Sequence, residues 1–140
     1  MESKISKEFR WEMSHRLVNH EGECKNIHGH SYKLYVELKG NTNGNGMLID
    51  FYDMEKIVEP VLQKLDHSFI CDGTDSLMLD FLNKNDFKHV VLENPTTAEN
   101  IADYLLDILV LKFKSHSNLK GIKLRLYESD YAYVEAVAQL

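Results

Sequence analysis

Three histidines, His15, His28 and His30, stand where apolar residues would otherwise continue a strand. His15 ends the run Phe9, Trp11, Met13, in which every second residue is apolar, and His28 and His30 lead into the run Tyr32, Leu34, Val36, Leu38. Residues two apart on a strand point to the same side, so the pattern places all three imidazoles on the inner faces of two neighbouring strands. A lone inward histidine is ordinarily a hydrogen-bonded core residue. Three of them ending two adjacent apolar faces form a donor set instead. Three protein nitrogens with a fourth position open is the layout of a catalytic zinc site, whereas structural zinc is closed by four ligands that usually include thiolates.

Other residues with reactive side chains fall around this set. Cys24 lies four residues before His28, in a stretch without apolar period. Two readings of it stand: a small buried hydrophobe, or a thiolate favoured by a nearby cation and able to act as base or nucleophile. Cys71, inside Phe69-Ile70-Cys71, is read as packing. Asp66 and His67 follow the first helical pattern, and a carboxylate beside an imidazole sets its tautomer and raises its basicity. Glu128 shares the parity of Ile122, Leu124 and Leu126, which puts a carboxylate on a buried strand face where it needs a partner. An internal Lys or Arg would serve, as would a ligand offering two adjacent N–H donors, such as the amidine edge of a pterin or guanine. Glu99 carries the same ambiguity beside a reading as a helix-capping residue.

The elements that must position these residues follow from periodicity. Odd positions from Ile5 to His15 are mainly apolar and even ones polar, the signature of a half-buried strand. Arg16 to Gly29 reads as a long loop, and alternation returns from His28 as a second strand. After a Gly- and Asn-rich turn, Asp50 caps a helix with apolar residues Met54, Ile57, Val58, Val61, Leu62 and Leu65, expected to kink at Pro60. Thr96-Thr97-Ala98-Glu99 resembles a capping box opening a second long helix to about Ser115. Strands from Gly121 and from Tyr131 to Val137 close the chain. Between the helices lie a short helical pattern, Ser76 to Leu82, and a short strand pattern, His89 to Glu93. The expected architecture is a single α+β domain over residues 1–140, ββααββ, with a four-stranded antiparallel sheet and two helices packed on one face.

Composition narrows the function. Sixteen Lys and Arg against 22 Asp and Glu give a net charge of −6 with no basic run, which argues against nucleic acid as a partner. No apolar stretch of membrane-spanning length and no secretory leader are read, and two cysteines do not make a disulfide framework, so the expected location is the cytoplasm.

The order of motifs resembles one family over nearly the whole chain. His15-Arg16-Leu17, Cys24-Lys25-Asn26-Ile27-His28-Gly29-His30, Gly46-Met47-Leu48-Ile49-Asp50-Phe51, Leu65-Asp66-His67, Pro95-Thr96-Thr97-Ala98-Glu99-Asn100 and Glu128-Ser129 are similar to the signatures of the 6-pyruvoyl-tetrahydropterin synthase and 6-carboxy-tetrahydropterin synthase (QueD) family. The C-x3-H-G-H spacing looks like the bacterial carboxy form, since the pyruvoyl enzymes have a longer gap and a separate branch carries Glu in place of Cys24. Two departures stand out: Phe69-Ile70-Cys71 replaces the common Leu-Asn pattern after the Asp-His pair, and the segment from His67 to Pro95 is longer than in compact members.

The resemblance implies a T-fold whose protomers join through their sheets into a β-barrel, commonly a homohexamer of two stacked trimers, with sites between subunits. It implies zinc on His15, His28 and His30, Cys24 as general base, and Asp66 with His67 from a neighbouring protomer completing proton transfer. Glu128 would anchor the pterin with Thr97 and Glu99 nearby, and Arg16 and Lys25 are candidates for the triphosphate. The implied activity is that of a lyase on the route to queuosine, turning 7,8-dihydroneopterin triphosphate into 6-carboxy-5,6,7,8-tetrahydropterin, acetaldehyde and triphosphate. The alternatives are elimination of triphosphate only, giving 6-pyruvoyl-tetrahydropterin, and a noncatalytic pterin-binding zinc module.

Overall fold

A computed structural model describes residues 1–140. In chain order the elements are β1 (Glu2–His15), β2 (His28–Asn41), α1 (Phe51–Leu65), β3 (Ser68–Asp72), α2 (Ser76–Lys84), β4 (His89–Leu92), α3 (Ala98–Phe113), β5 (Leu119–Ser129) and β6 (Ala132–Gln139), with a 3₁₀ turn at Glu23–Lys25. The strands form one sheet in the order β4-β3-β1-β2-β5-β6.

The alternating pattern of β1 and β2 produces a fourteen-residue antiparallel pair, running from Glu2 opposite Asn41 to His15 opposite His28. Phe9, Trp11, Met13 and His15 are buried on one strand and Tyr32, Leu34, Val36 and Leu38 on the other, as their parity requires. β5 pairs antiparallel with the far edge of β2 and β6 with β5. Ile122, Leu124 and Leu126 extend the same buried face.

Two helices cover that face. The Asp50 side chain accepts the Tyr52 N–H at 2.8 Å and starts α1, which continues through Pro60 and buries Met54, Val58, Val61, Leu62 and Leu65. At the start of α3 the cap is Thr97, whose Oγ1 accepts from Asn100 N at 3.2 Å. α3 buries Ile101, Ala102, Leu105, Leu106, Leu109 and Phe113 against the sheet.

The four-stranded, two-helix expectation is too small. The sheet has six strands, and the segment between the long helices supplies both extra strands and a third helix. β3 adds in parallel to the His15 end of β1, through Met13 opposite Ser68 and Ser14 opposite Phe69, and β4 adds in parallel to β3. Ile70 joins the main core, while Phe69 and Cys71, pointing the other way, form a separate cluster with Met78 and Leu82 of α2. α2 therefore covers the opposite face of the sheet, and all five residues of β3 are buried. Cys71 lies within this small cluster, and burial pushes its thiol up to about 11, a value for an inert packing residue.

Because α2 rests on a small cluster of its own, Leu82→Ala is expected to cost about 2 kcal/mol locally. Native-state hydrogen exchange should quicken in α2 and β4 and stay unchanged in β2 and β5. Uniform quickening across the sheet would show that the insertion opens only with the whole molecule.

Candidate metal centre

The register of β1 and β2 assembles the centre. His15 and His28 are direct cross-strand partners, and His30 lies two residues further along β2, opposite Met13. One donor atom from each of the three rings falls within 4.8 Å of the others. The ring centroids lie 4.6 Å apart for His15 and His28, 5.2 Å for His15 and His30, and 4.9 Å for His28 and His30.

Backbone carbonyls orient the rings. His15 Nδ1 donates to the Thr96 carbonyl at 2.7 Å, and His28 Nδ1 donates to the Asn26 carbonyl at 2.7 Å. With the proton held at Nδ1, each Nε2 keeps its lone pair. His15 Nε2 faces His30 Nε2 at 3.2 Å, while His28 Nε2 is buried and has no hydrogen-bond partner. A buried, unpartnered acceptor among converging imidazoles is placed as a metal ligand would be. Neutral nitrogen donors converging in this way fit a divalent transition metal, zinc among them. His15 is 2% exposed, and desolvation lowers its imidazole to about 4, so it is an unprotonated donor at neutral pH. Burial lowers His30 as well.

Glu128 closes one side of the centre. A bulge in the β5–β6 pairing between Tyr127 and Ser129 leaves it as the extra residue, and its side chain keeps the inward direction of its parity. Its carboxylate accepts the Tyr32 hydroxyl at 3.4 Å and lies 3.9 Å from the Nε2 atoms of both His15 and His30. The partner expected from parity is thus neither Lys nor Arg. Burial raises the carboxyl above its ordinary value and the charge of Glu99 adds to this, opposed by Tyr32 and His28. Glu99 itself is exposed near the start of α3. Because Thr97 rather than Thr96 caps α3, Glu99 falls one position short of the capping-box site, and Thr97 spends its hydroxyl on the helix.

The remaining residues lie around this centre or apart from it. Cys24 is half-buried in the Glu23–Lys25 turn, its carbonyl accepting from Leu17 N at 2.8 Å, and the metal-competent cluster does not include it. Asp66 and His67 do meet, with His67 Nδ1 donating to Asp66 Oδ1 at 3.0 Å. The contact depends on a left-handed turn at His67 (φ 58°) and on the Glu12 N–H, which also donates to Asp66 Oδ1 at 2.9 Å and holds that carboxyl below its usual range. This pair makes no hydrogen bond to the three histidines. His67 is 77% exposed and shares with His30 a cavity of about 570 Å³ whose wall also carries Phe81 and Phe87.

Arg16 is not free for an anion, because Asp75 takes its guanidinium by two contacts of 2.6 and 2.7 Å. Lys25 is exposed. Four site residues went unseen in the sequence: Tyr32, which contacts Glu128; Thr96 and Asn26, whose carbonyls fix two rings; and Asp75. Tyr32 reads as one more apolar residue of its strand. The carbonyl contacts leave no mark on residue type.

The family model described as 6-pyruvoyl tetrahydropterin synthase matches residues 4–139. The 6-carboxy-5,6,7,8-tetrahydropterin synthase of Haemophilus influenzae is 39% identical, the alignment covering 94% of this chain and 96% of that protein. The enzyme of the same name from Rickettsia conorii is 30% identical, with coverage of 94% and 98%. Among solved structures, the 6-pyruvoyl tetrahydropterin synthase of Plasmodium vivax has the same fold, with a TM-score of 0.81 at 19% identity over 100% of this chain and 99% of that one. The Caenorhabditis elegans protein of that name gives 0.73 at 22% identity, covering 99% and 96%.

The burial of His15 sets a pH dependence for the metal-free protein. Between pH 6.5 and about 4 the unfolded chain protonates this ring while the folded chain does not, so stability falls as pH drops through that window. At pH 5 the loss from this residue should be about 2 kcal/mol relative to pH 7.5. Urea unfolding of the metal-free protein and of His15→Asn at the two pH values measures it. Equal losses in both proteins would show that His15 is not the source.

Proposed function

Because the chain belongs to the 6-pyruvoyl tetrahydropterin synthase family, we propose that it is a zinc-dependent lyase of the 6-carboxy-5,6,7,8-tetrahydropterin synthase type. Its substrates are then 7,8-dihydroneopterin triphosphate and one water, and its products are 6-carboxy-5,6,7,8-tetrahydropterin, acetaldehyde and triphosphate, a step toward queuosine in the cytoplasm. The observation that carries the reading is the convergence of three imidazoles, two with Nδ1 committed to carbonyls and one with a buried Nε2 left unpaired. The names of the relatives at 39% and 30% identity favour the carboxy product.

Zinc, when bound to His15, His28 and His30, supplies a Lewis acid that acidifies the C–H beside the substrate's side-chain hydroxyls and polarises the developing carbonyl. The protein groups do the rest. Glu128, at the mouth of the centre, accepts two N–H bonds from the amidine edge of the pterin, with Thr97 and Glu99 at the start of α3 beside it. Cys24, on the turn leading to His28, is the base that removes the proton. Asp66 holds His67 through Nδ1 and leaves Nε2 to relay protons.

That relay acts between subunits. His67 is exposed and makes no hydrogen bond to its own chain's histidines, which supports a role at the centre of a neighbouring copy. The two edge strands, β4 and β6, leave the sheet open for association. A homohexamer of two trimers, each closing a barrel, is the assembly this reading requires. No phosphate-binding role falls to Arg16, and Lys25 remains the candidate.

Incubating the zinc-loaded protein with 7,8-dihydroneopterin triphosphate should release one acetaldehyde and one triphosphate per turnover. Triphosphate with 6-pyruvoyl-tetrahydropterin and no acetaldehyde would move the activity to elimination only, and no release of either would make the protein a binding module. Cys24→Ala should retain zinc and lose at least about a hundredfold in turnover, the scale of a removed general base. Loss of zinc together with activity in that variant would make Cys24 a ligand.

A further inference from the structure

An ion pair that the proposed reaction does not use joins the inserted segment, through the buried Asp75, to Arg16 just after β1. Both oxygens of Asp75 contact Arg16, at 2.6 Å from Nε and 2.7 Å from Nη2, and the Asp75 side chain is 2% exposed. The same carboxylate accepts the Met78 N–H at 3.3 Å and so caps α2. A charge this deep is retained only where paired, and the two-point geometry fixes the Arg16 side chain in direction as well as position.

From Arg16 the contacts lead to the metal centre. The Arg16 carbonyl accepts the Thr96 hydroxyl at 3.3 Å, and the Thr96 carbonyl receives the His15 Nδ1–H at 2.7 Å. Thr96 is fully buried, and its hydroxyl also lies 3.3 Å from His15 Nδ1. Thr96 directly precedes the cap of α3. The end of β1, the start of α2 and the start of α3 are therefore joined at the one ring that is deepest in the centre.

We propose that Arg16 and Asp75 are positioning residues for the metal ligand His15: the pair locks the backbone after His15 so that Arg16 and Thr96 hold the imidazole with Nε2 facing the ion. The α2 insertion thereby sets metal affinity without touching the metal. This rests on the reading of the three histidines as a zinc site. It also accounts for an arginine beside a proposed triphosphate site that is spent on an internal carboxylate.

The test is the double variant Arg16→Met/Asp75→Asn, which removes both charges together and leaves no lone buried one, while Asn keeps the α2 cap. Zinc dissociation constants are measured by competition with a chromophoric chelator, and ligand geometry by the visible spectrum of the Co(II)-substituted protein. Val58→Ala, in the main core away from α2, is the control for lost stability. The double variant should bind zinc about tenfold more weakly than wild type, the lower end of the effect of outer-shell partners, with an altered Co(II) spectrum. Val58→Ala should keep wild-type affinity and spectrum even with an equal fall in thermal midpoint. Wild-type affinity and spectrum in the double variant would overturn the inference and leave the metal site intact, and equal weakening in Val58→Ala would overturn it in favour of general stability. A wild-type protein that takes up no zinc would bring down the metal reading and this inference with it.

Discussion

The cross-strand pairing of His15 with His28 is the constraint on which the rest of the structure depends. A strand's side-chain period is two, so a slip of one residue between β1 and β2 would send either His15 or the His28–His30 pair to the other face. The long apolar faces of the two strands prevent that slip, because the same slip would expose Trp11, Leu34 and their neighbours. Packing energy that belongs to the core thus specifies a histidine cluster able to hold a metal at its edge. The helices contribute by covering this face: α3 begins at the centre and brings Thr96 against His15.

Polar groups at the edge of an apolar core must each be satisfied, and here the pairing decides the chemistry. Nδ1 of His15 and of His28 is given to a carbonyl, which leaves nitrogen lone pairs directed inward. Glu128 reaches the same point from the end of β5, beside a bulge in the β5–β6 pairing, and burial raises its carboxyl above the ordinary value. The Asp66–His67 pair is the counterpart outside the core: the left-handed backbone at His67 costs about 1–2 kcal/mol. Its benefit is an imidazole held outward by its own carboxylate, on the wall of a cavity and without a hydrogen bond to the three histidines.

Much of this was legible in the sequence, for identifiable reasons. Alternation exposed β1, β2 and the His15, His28 and His30 faces, and the steps of three and four exposed α1 and α3. The parity of Glu128 was read correctly, although its partners are Tyr32 and the histidines rather than a cation. The insertion was undercounted because β3 is buried on both faces, so it shows no alternation, and it is only five residues long. The capping-box pattern ran from Thr96 to Glu99, and the structure instead uses Thr97 as the cap and Thr96 as a brace for His15. Arg16 and Asp75, 59 residues apart, meet only because β3 and β4 fold the insertion back beside β1, which no local pattern announces.

X-ray absorption at the zinc edge of the loaded protein tests the central claim most directly, because it counts ligands by element. The account predicts three imidazole nitrogens and one further light atom at about 2.0–2.1 Å, with no sulfur. A sulfur shell at about 2.3 Å would contradict it by making a cysteine a ligand and closing the position that the chemistry needs.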